Sequence, residues 1–268
     1  MATSMIVCGA AGRMGRTLVS LLVQNPAATL VGAIEATGHP ALGQDAGAVA
    51  GVGPVGVPIG DNLGALARAE TVILDFSTAT AAVAHLRTAV QQRSAIVIGA
   101  TGFSSEQEAL IDRLAGETRA VVAPNMSVGI AVLQRLVREA ASALGVDFDP
   151  EIVEMHHRMK VDAPSGTALA LGQSLADATG RDFPASAVYG RSGNVGQRQQ
   201  KEIGILALRG GDVVGDHTVI FAGLGERIEL THRAQSRECL ARGAIRAGLW
   251  LADQPAGRYA MHDVLGMR

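Results

Sequence analysis

The chain is poor in cysteine and in aromatic residues, and each shortage narrows what it can be. Two cysteines, Cys8 and Cys239, in 268 residues are too few for a disulfide framework. Cys8 sits inside an apolar strand pattern, where a buried free thiol is the ordinary occupant. Aromatics make up 3% of the chain, so its cores must be built from Ala, Val, Leu and Ile. Net charge is scarce too. With 23 basic and 25 acidic residues the balance is −2, which argues against nucleic acid or a membrane surface as the main partner. Apolar runs are broken by Gly, Arg or Asp well short of a membrane span. Met1-Ala2-Thr3-Ser4-Met5 lacks the basic-then-apolar pattern of an export signal, so a cytoplasmic protein is expected.

What the chain does have is apolar content of 48%, enough for one large core or two modest ones, and 33 glycines. The glycines gather in loops without a repeat, which excludes collagen-like and disordered classes. Strand patterns at 5–8, 29–35, 71–76, 95–98 and 119–123 alternate with helical patterns at 13–24, from 77 to about 92, and 105–115. That alternation predicts a parallel sheet covered on both faces. The stretch 38–60 reads as irregular surface chain. After Asn125 the pattern changes. A long helix at 128–144 leads to a half-exposed strand at 149–157 and a helix at 165–179. Three strand-like runs follow, at 202–209, 213–222 and 227–232, joined by short turns as an antiparallel sheet requires. The polar stretch 190–200 reads as a mobile loop. The expected class is α/β, with an N-terminal Rossmann-type parallel-sheet domain over 1–126. A C-terminal α+β domain with a mixed or antiparallel sheet covers 127–236, and a final helix within 237–268 packs back on the first domain.

Two segments carry chemistry. Gly9-Ala10-Ala11-Gly12-Arg13-Met14-Gly15 joins the first strand to the first helix, with G-x-x-G-x-x-G spacing. Such glycines let a chain turn sharply and let its N–H groups approach a pyrophosphate at the helix N-terminus. A tight turn without a ligand would look similar, but placement between strand and helix favours a dinucleotide. Glu35, at the end of the second strand, can accept hydrogen bonds from ribose hydroxyls. Gly99-Ala100-Thr101-Gly102 and Ala123-Pro124-Asn125-Met126 follow strands four and five. Alone they are turn chemistry, but their positions place them along the nicotinamide half of such a cofactor.

The second segment, 156–167, places His156, His157, Arg158 and Lys160 within five positions. Cations packed this closely repel one another, and an anionic ligand would offset that cost. Pro164-Ser165-Gly166-Thr167 then opens the apolar pattern Ala168-Leu169-Ala170-Leu171, as a helix N-terminus with free N–H groups would. A solvated basic loop is the plain alternative. A metal centre at His156 and His157 is disfavoured, because neighbours on a strand face opposite ways and no partner has ligand spacing. His39, His85, His217 and His262 read as ordinary surface or core residues.

Together these segments resemble the dihydrodipicolinate reductases, also called 4-hydroxy-tetrahydrodipicolinate reductases, of bacterial and plant lysine and diaminopimelate synthesis. The nucleotide loop, the run EIVEMHHRMKVDAPSGT at 151–167, Gly215-Asp216-His217-Thr218, and 229–237 carry the likeness over nearly the whole chain. The resemblance implies a nicotinamide cofactor, NADH or NADPH, held by residues matching Gly9 to Met14, Glu35, Gly99 to Thr101 and Ala123 to Met126, and no metal. It implies His156 as proton donor or acceptor and Lys160 as proton donor. Substrate dicarboxylate would be held at His157, Ser165, Gly166 and Thr167, and a homotetramer would form through the C-terminal sheets. This chain departs from the family at Ala100, where a threonine is usual, at Met126, often Phe, and at Ala36, often Arg. Without that arginine, NADH should serve at least as well as NADPH. A related amino-acid dehydrogenase, or a catalytically silent NAD(H)-binding protein, remains an alternative.

Overall fold

The structure is a computed structural model that describes residues 2–267; positions 1 and 268, at the outer ends of the expected first domain, lie outside the described residues. The chain divides into two compact units. One runs to Val128 and resumes at Arg237, and the other is Gly129–Ser236.

The first unit is built on strands β1 (Thr3–Cys8), β2 (Ala28–Ile34), β3 (Ile59–Gly60), β4 (Val72–Asp75), β5 (Ala95–Ile98) and β6 (Arg119–Val122). A last short strand, Gly257–Tyr259, completes a seven-stranded sheet in the order Gly257–Tyr259, β6, β5, β4, β1, β2, β3. Every pairing is parallel. Strands β4 and β5 are buried along their whole length, as unbroken apolar runs in a doubly covered sheet must be. Helix Arg13–Val23 contributes Leu18, Val19, Leu21 and Leu22 to one layer, while Leu86 of Ala79–Gln92 and Ile111 of Ser105–Ala115 close the other. Helix Glu238–Leu251 returns to β4, β5 and β6.

Two stretches differ from expectation. Within 38–60 the chain forms helix Ala46–Ala50 and the edge strand β3. Asp45 organises this stretch, its carboxylate accepting from the N–H groups of Gly47, Ala48, Val55 and Gly56 at 2.7–3.1 Å. One side chain does work that no hydrophobic period would reveal. After the final long helix come the strand Gly257–Tyr259 and the short helix Met261–Val264. Gly257 N–H donates to Thr118 at 2.8 Å, and three residues are too few to show a period.

The second unit holds β7 (Asp149–His156), β8 (Ala187–Val188), β9 (Ile203–Arg209), β10 (Gly215–Ala222) and β11 (Arg227–Ala234), in the order β11, β10, β7, β9, β8. Helices Val128–Leu144 and Gly166–Thr179 cover one face, burying Ile152, Leu171, Leu175, Ile205, Val219 and Phe221. The three late strands are not the expected antiparallel series. Strand β7 lies between β9 and β10, parallel to the first and antiparallel to the second. The turn after β9 therefore passes over the end of β7, where Gly210 N–H donates to His156 and Arg158 N–H to Gly211. Two strand spacings are about 10 Å, within reach of a five-residue link, so turn length cannot distinguish the two topologies.

The 190–200 loop, expected to be mobile, is tied to β7. Arg191 pairs with both oxygens of Glu151 at 3.0 Å and with Glu202 at 2.8 Å. Arg198 reaches Glu151 at 2.9 Å and Asp149 at 2.6 Å. Among the described residues, no helix is long and apolar enough to cross a membrane.

Candidate active site

In the first unit the expected cofactor segments follow the carboxyl ends of parallel strands. Gly9 and Ala10 N–H groups donate to Ile34, and Gly99 and Ala123 extend the β4–β5–β6 ladder by donating to Asp75 and Ile98. Gly15 lets the first helix abut the loop, since a Cβ there would overlap the Gly9 carbonyl oxygen. The helix cap, Gly12, provides no side-chain acceptor, so the helix-start N–H groups are left for ligand oxygens. This arrangement fits a dinucleotide pyrophosphate. Glu35 Oε1 accepts Ala11 N–H at 2.8 Å, so this carboxylate also braces the loop. Arg16 Nε donates to Ala11 O at 2.7 Å, while Arg13 is exposed. Ala100, Ala123 and Met126 are buried, whereas Thr101 and Pro124 are exposed. Asn125 Oδ1 accepts from Ser127 N–H at 2.9 Å.

Below that loop, the ligand atoms of Cys8, Asp75 and His85 lie within 4.8 Å of one another. His85, read as an ordinary residue, is hydrogen-bonded to the buried Asp75 at 2.6 Å, and Ser77 donates to the other oxygen. Direct contact of this kind satisfies the carboxylate without an ion.

In the second unit the cationic segment sits at the end of β7. The buried face of that strand carries Ile152, Glu154 and His156, two residues apart, as the pleat requires. His157 follows beyond the strand end and is half-buried, and Arg158 is exposed. Lys160 Nζ reaches both oxygens of Asp162 at 2.8 Å. Ser165 caps helix Gly166–Thr179, its Oγ accepting from Ala168 N–H at 3.2 Å.

Three residues that sequence reasoning missed complete this site. Glu154 accepts His156 Nδ1–H at 2.6 Å, Ser165 N–H at 3.0 Å and two Arg209 nitrogens at 2.8 and 2.9 Å. His217, read as an ordinary residue, is buried with its Nε2 3.0 Å from Ser165 Oγ. Its ring meets that of His156 edge-on at 5.2 Å. Gly215 makes room for this pair, because a Cβ there would come 2.9 Å from His156 Nε2. The carboxylates Glu154 and Asp162 thus offset much of the repulsion that seemed to require a ligand. An acid two residues before His156 on an alternating strand was the available signal for Glu154.

The electrostatics follow from burial and these partners. Burial pushes the Glu154 pKa up, but hydrogen bonds from Arg209, His156 and Ser165 outweigh it and hold the group below the usual carboxylate range. For His156, burial lowers the pKa and Glu154 opposes it, with Lys160 and Arg209 adding to the decrease; the net shift is down. His217 is pushed down to about 4, by burial first and then by His156. Both imidazoles are therefore neutral near pH 7.

The family model for the dihydrodipicolinate reductase N-terminus matches residues 3–126, and the model for the C-terminus matches 129–265. The chain belongs to the dihydrodipicolinate reductase family. It is 49% identical over 262 residues to a 4-hydroxy-tetrahydrodipicolinate reductase of Pelobacter propionicus, covering 98% of each chain. A reductase of the same name from Geobacter sulfurreducens is 47% identical over 99% of this chain and all of its own length. Among solved structures, a dipicolinate-bound dihydrodipicolinate reductase from Paenisporosarcina sp. TG-14 superposes with a TM-score of 0.75 at 25% identity. The match covers 97% of this chain and 98% of that one.

The buried histidines give the fold a pH dependence. The unfolded chain binds a proton at His217 near pH 6.5, but the folded chain resists it until about pH 4. Stability from this group is thus complete above pH 6.5 and is lost as pH falls toward 4, a contribution of roughly 3 kcal/mol. Denaturant unfolding across that range should show the decline, with a smaller slope in His217→Gln. An unchanged slope in the variant would assign the dependence to other groups.

Proposed function

We propose that the chain reduces 4-hydroxy-tetrahydrodipicolinate to tetrahydrodipicolinate, with loss of water, using a nicotinamide cofactor. The observation that carries this reading is the Glu154–His156–Ser165 cluster, which sets a proton-exchanging imidazole beside a helix start suited to a carboxylate. Loss of the C4 hydroxyl as water gives a conjugated dihydropyridine; hydride then adds at C4 and a proton at C3. The cofactor, when bound, supplies the hydride. The helix-start N–H groups at Arg13 and Met14 would hold its phosphates against the loop formed by Gly9, Ala10, Ala11 and Gly12, whose own N–H groups bond within the protein. Glu35 would hold the ribose, and the segments at 99–101 and 123–126 the nicotinamide half.

Hydride addition places negative charge on the conjugated ring. His156, His157 and Lys160 supply positive charge or proton donors to stabilise it, and His156 or Lys160 delivers the C3 proton. The Lys160 ammonium is parked on Asp162, a contact it can exchange for a substrate carboxylate. Gly166 and Thr167 hold a substrate carboxylate at the helix start, while Ser165, expected to share that contact, is buried and engaged with Glu154, Ala168 and His217 and instead shapes the turn. Family resemblance further supports a cytoplasmic homotetramer assembled through the second unit's sheet, where Leu208 and Ile228 are exposed.

The direct test is oxidation of NADH or NADPH by the purified protein with substrate generated by the preceding synthase. His156→Ala and Lys160→Ala should each lower turnover by roughly 10²–10⁴-fold while leaving NADH affinity nearly unchanged. Wild-type turnover in either variant would remove that residue from the mechanism.

Cofactor choice rests on Glu35 and Ala36. Glu35 suits ribose hydroxyls and repels a 2′-phosphate, and Ala36 offers no compensating cation. NADH should therefore serve at least as well as NADPH, and Ala36→Arg should improve NADPH affinity by about 1–2 kcal/mol. Titration of both cofactors at one ionic strength measures this. A strong native preference for NADPH, or no gain in the variant, would place the phosphate pocket on other residues.

A further inference from the structure

One buried group of the second unit's cluster, Glu154, exchanges no proton and touches no substrate in the chemistry described above. The Glu154 side chain has no exposed surface, yet both its oxygens are fully engaged. Oε2 accepts from His156 Nδ1 and Arg209 Nη1, and Oε1 from Ser165 N–H and Arg209 Nη2. Arg209 also donates to the Asp162 carbonyl at 2.6 Å, next to the partner of Lys160.

We propose that Glu154 is the positioning residue of the proton-transfer site, fixing His156 as the Nδ1–H tautomer and binding it to the Ser165 turn as one rigid assembly. A guanidinium stays charged at any working pH, and the carboxylate facing it stays ionised and can only accept. The imidazole nitrogen at 2.6 Å must then be a donor, so Nδ1 carries the hydrogen. Neutral His156 is left with a bare Nε2, next to Gly215, where a Cβ would come 2.9 Å from it. That nitrogen is the atom at which a proton can be gained and given up. The same carboxylate holds the residue preceding Gly166 and Thr167, so imidazole and carboxylate-binding turn keep one spacing.

The charged and titratable groups around His156 are Glu154 on β7, Arg209 on β9, His217 on β10 and Lys160 in the following loop. Only Glu154 favours the imidazolium. Its loss would leave the cations and burial unopposed.

The consequence for turnover rests on the reductase reading, but the tautomer does not. The test is 15N NMR of histidine-labelled protein above neutral pH, with His156 assigned by its loss in His156→Asn. Wild type should show Nδ1–H. In Glu154→Gln the amide NH2 should face His156 and move its hydrogen to Nε2. Turnover should then fall by roughly 10²-fold or more, with the KM for NADH unchanged. The limb of the pH profile belonging to His156 should move to lower pH. Glu154→Asp, which keeps the charge, should restore Nδ1–H and part of the turnover. An Nε2–H tautomer in wild type overturns the proposal, and so does a folded Glu154→Gln with native turnover. Should that variant fail to fold, the wild-type tautomer still decides. Nδ1–H in a wild type that reduces no substrate would instead count against the reductase reading alone.

Discussion

The buried carboxylate of Glu154 is the constraint on which the second unit depends. An ionised group inside a folded core is tolerated only when its lone pairs are filled, and removing one partner of such a pair costs about 3–5 kcal/mol. The four donors that fill them come from three elements: the end of β7, the end of β9 and the start of helix Gly166–Thr179. This requirement accounts for the strand order. Arg209 stands opposite His156 only because β9 lies beside β7, in parallel register. Strand β10, on the other side, brings His217 and the side-chain-free position Gly215 to the same imidazole. A simple antiparallel series would set β10 between β9 and the rest, and Glu154 would lose its guanidinium.

The first unit relies on different physics. Its loop at 9–15 is built from small residues and backbone hydrogen bonds, and the carboxylate that braces it, Glu35, comes from the adjacent strand end. Parallel strands in a doubly covered sheet all end on the same side, so their following loops collect there without long side chains to gather them. The result is a site made of chain geometry. The second unit's site is a network of charges.

That contrast explains what could be read from the sequence. The parallel sheet, its helices and the loop at 9–15 were legible because apolar periodicity and glycine spacing are local signals. His156, His157, Lys160 and the cap Ser165 were legible because they are neighbours in the chain. Arg209 and His217 were not, since their partners Glu154 and Ser165 lie 55 and 52 residues away. The pinned loop escaped notice for the same reason, with Arg191 and Arg198 meeting Glu151 from 40 and 47 residues away. Glu154 was hidden differently. An acid on a half-buried strand resembles a solvated residue until the arginine that neutralises it is in view. A mixed sheet was among the expectations, but the placement of β7 between β9 and β10 eluded the sequence because a short turn spans one strand spacing or two equally well.

The proposed reaction sets a substrate carboxylate at the helix start organised by Ser165, beside His156. Competitive inhibition by pyridine-2,6-dicarboxylate, compared between wild type and Thr167→Val, tests it most directly. The variant keeps the shape of Thr167 and removes its hydroxyl. A hydrogen bond to a charged group contributes about 1.5–3 kcal/mol, so the inhibitor should bind roughly ten- to a hundredfold more weakly. Equal inhibition of the two proteins would place the carboxylate elsewhere and contradict the assignment.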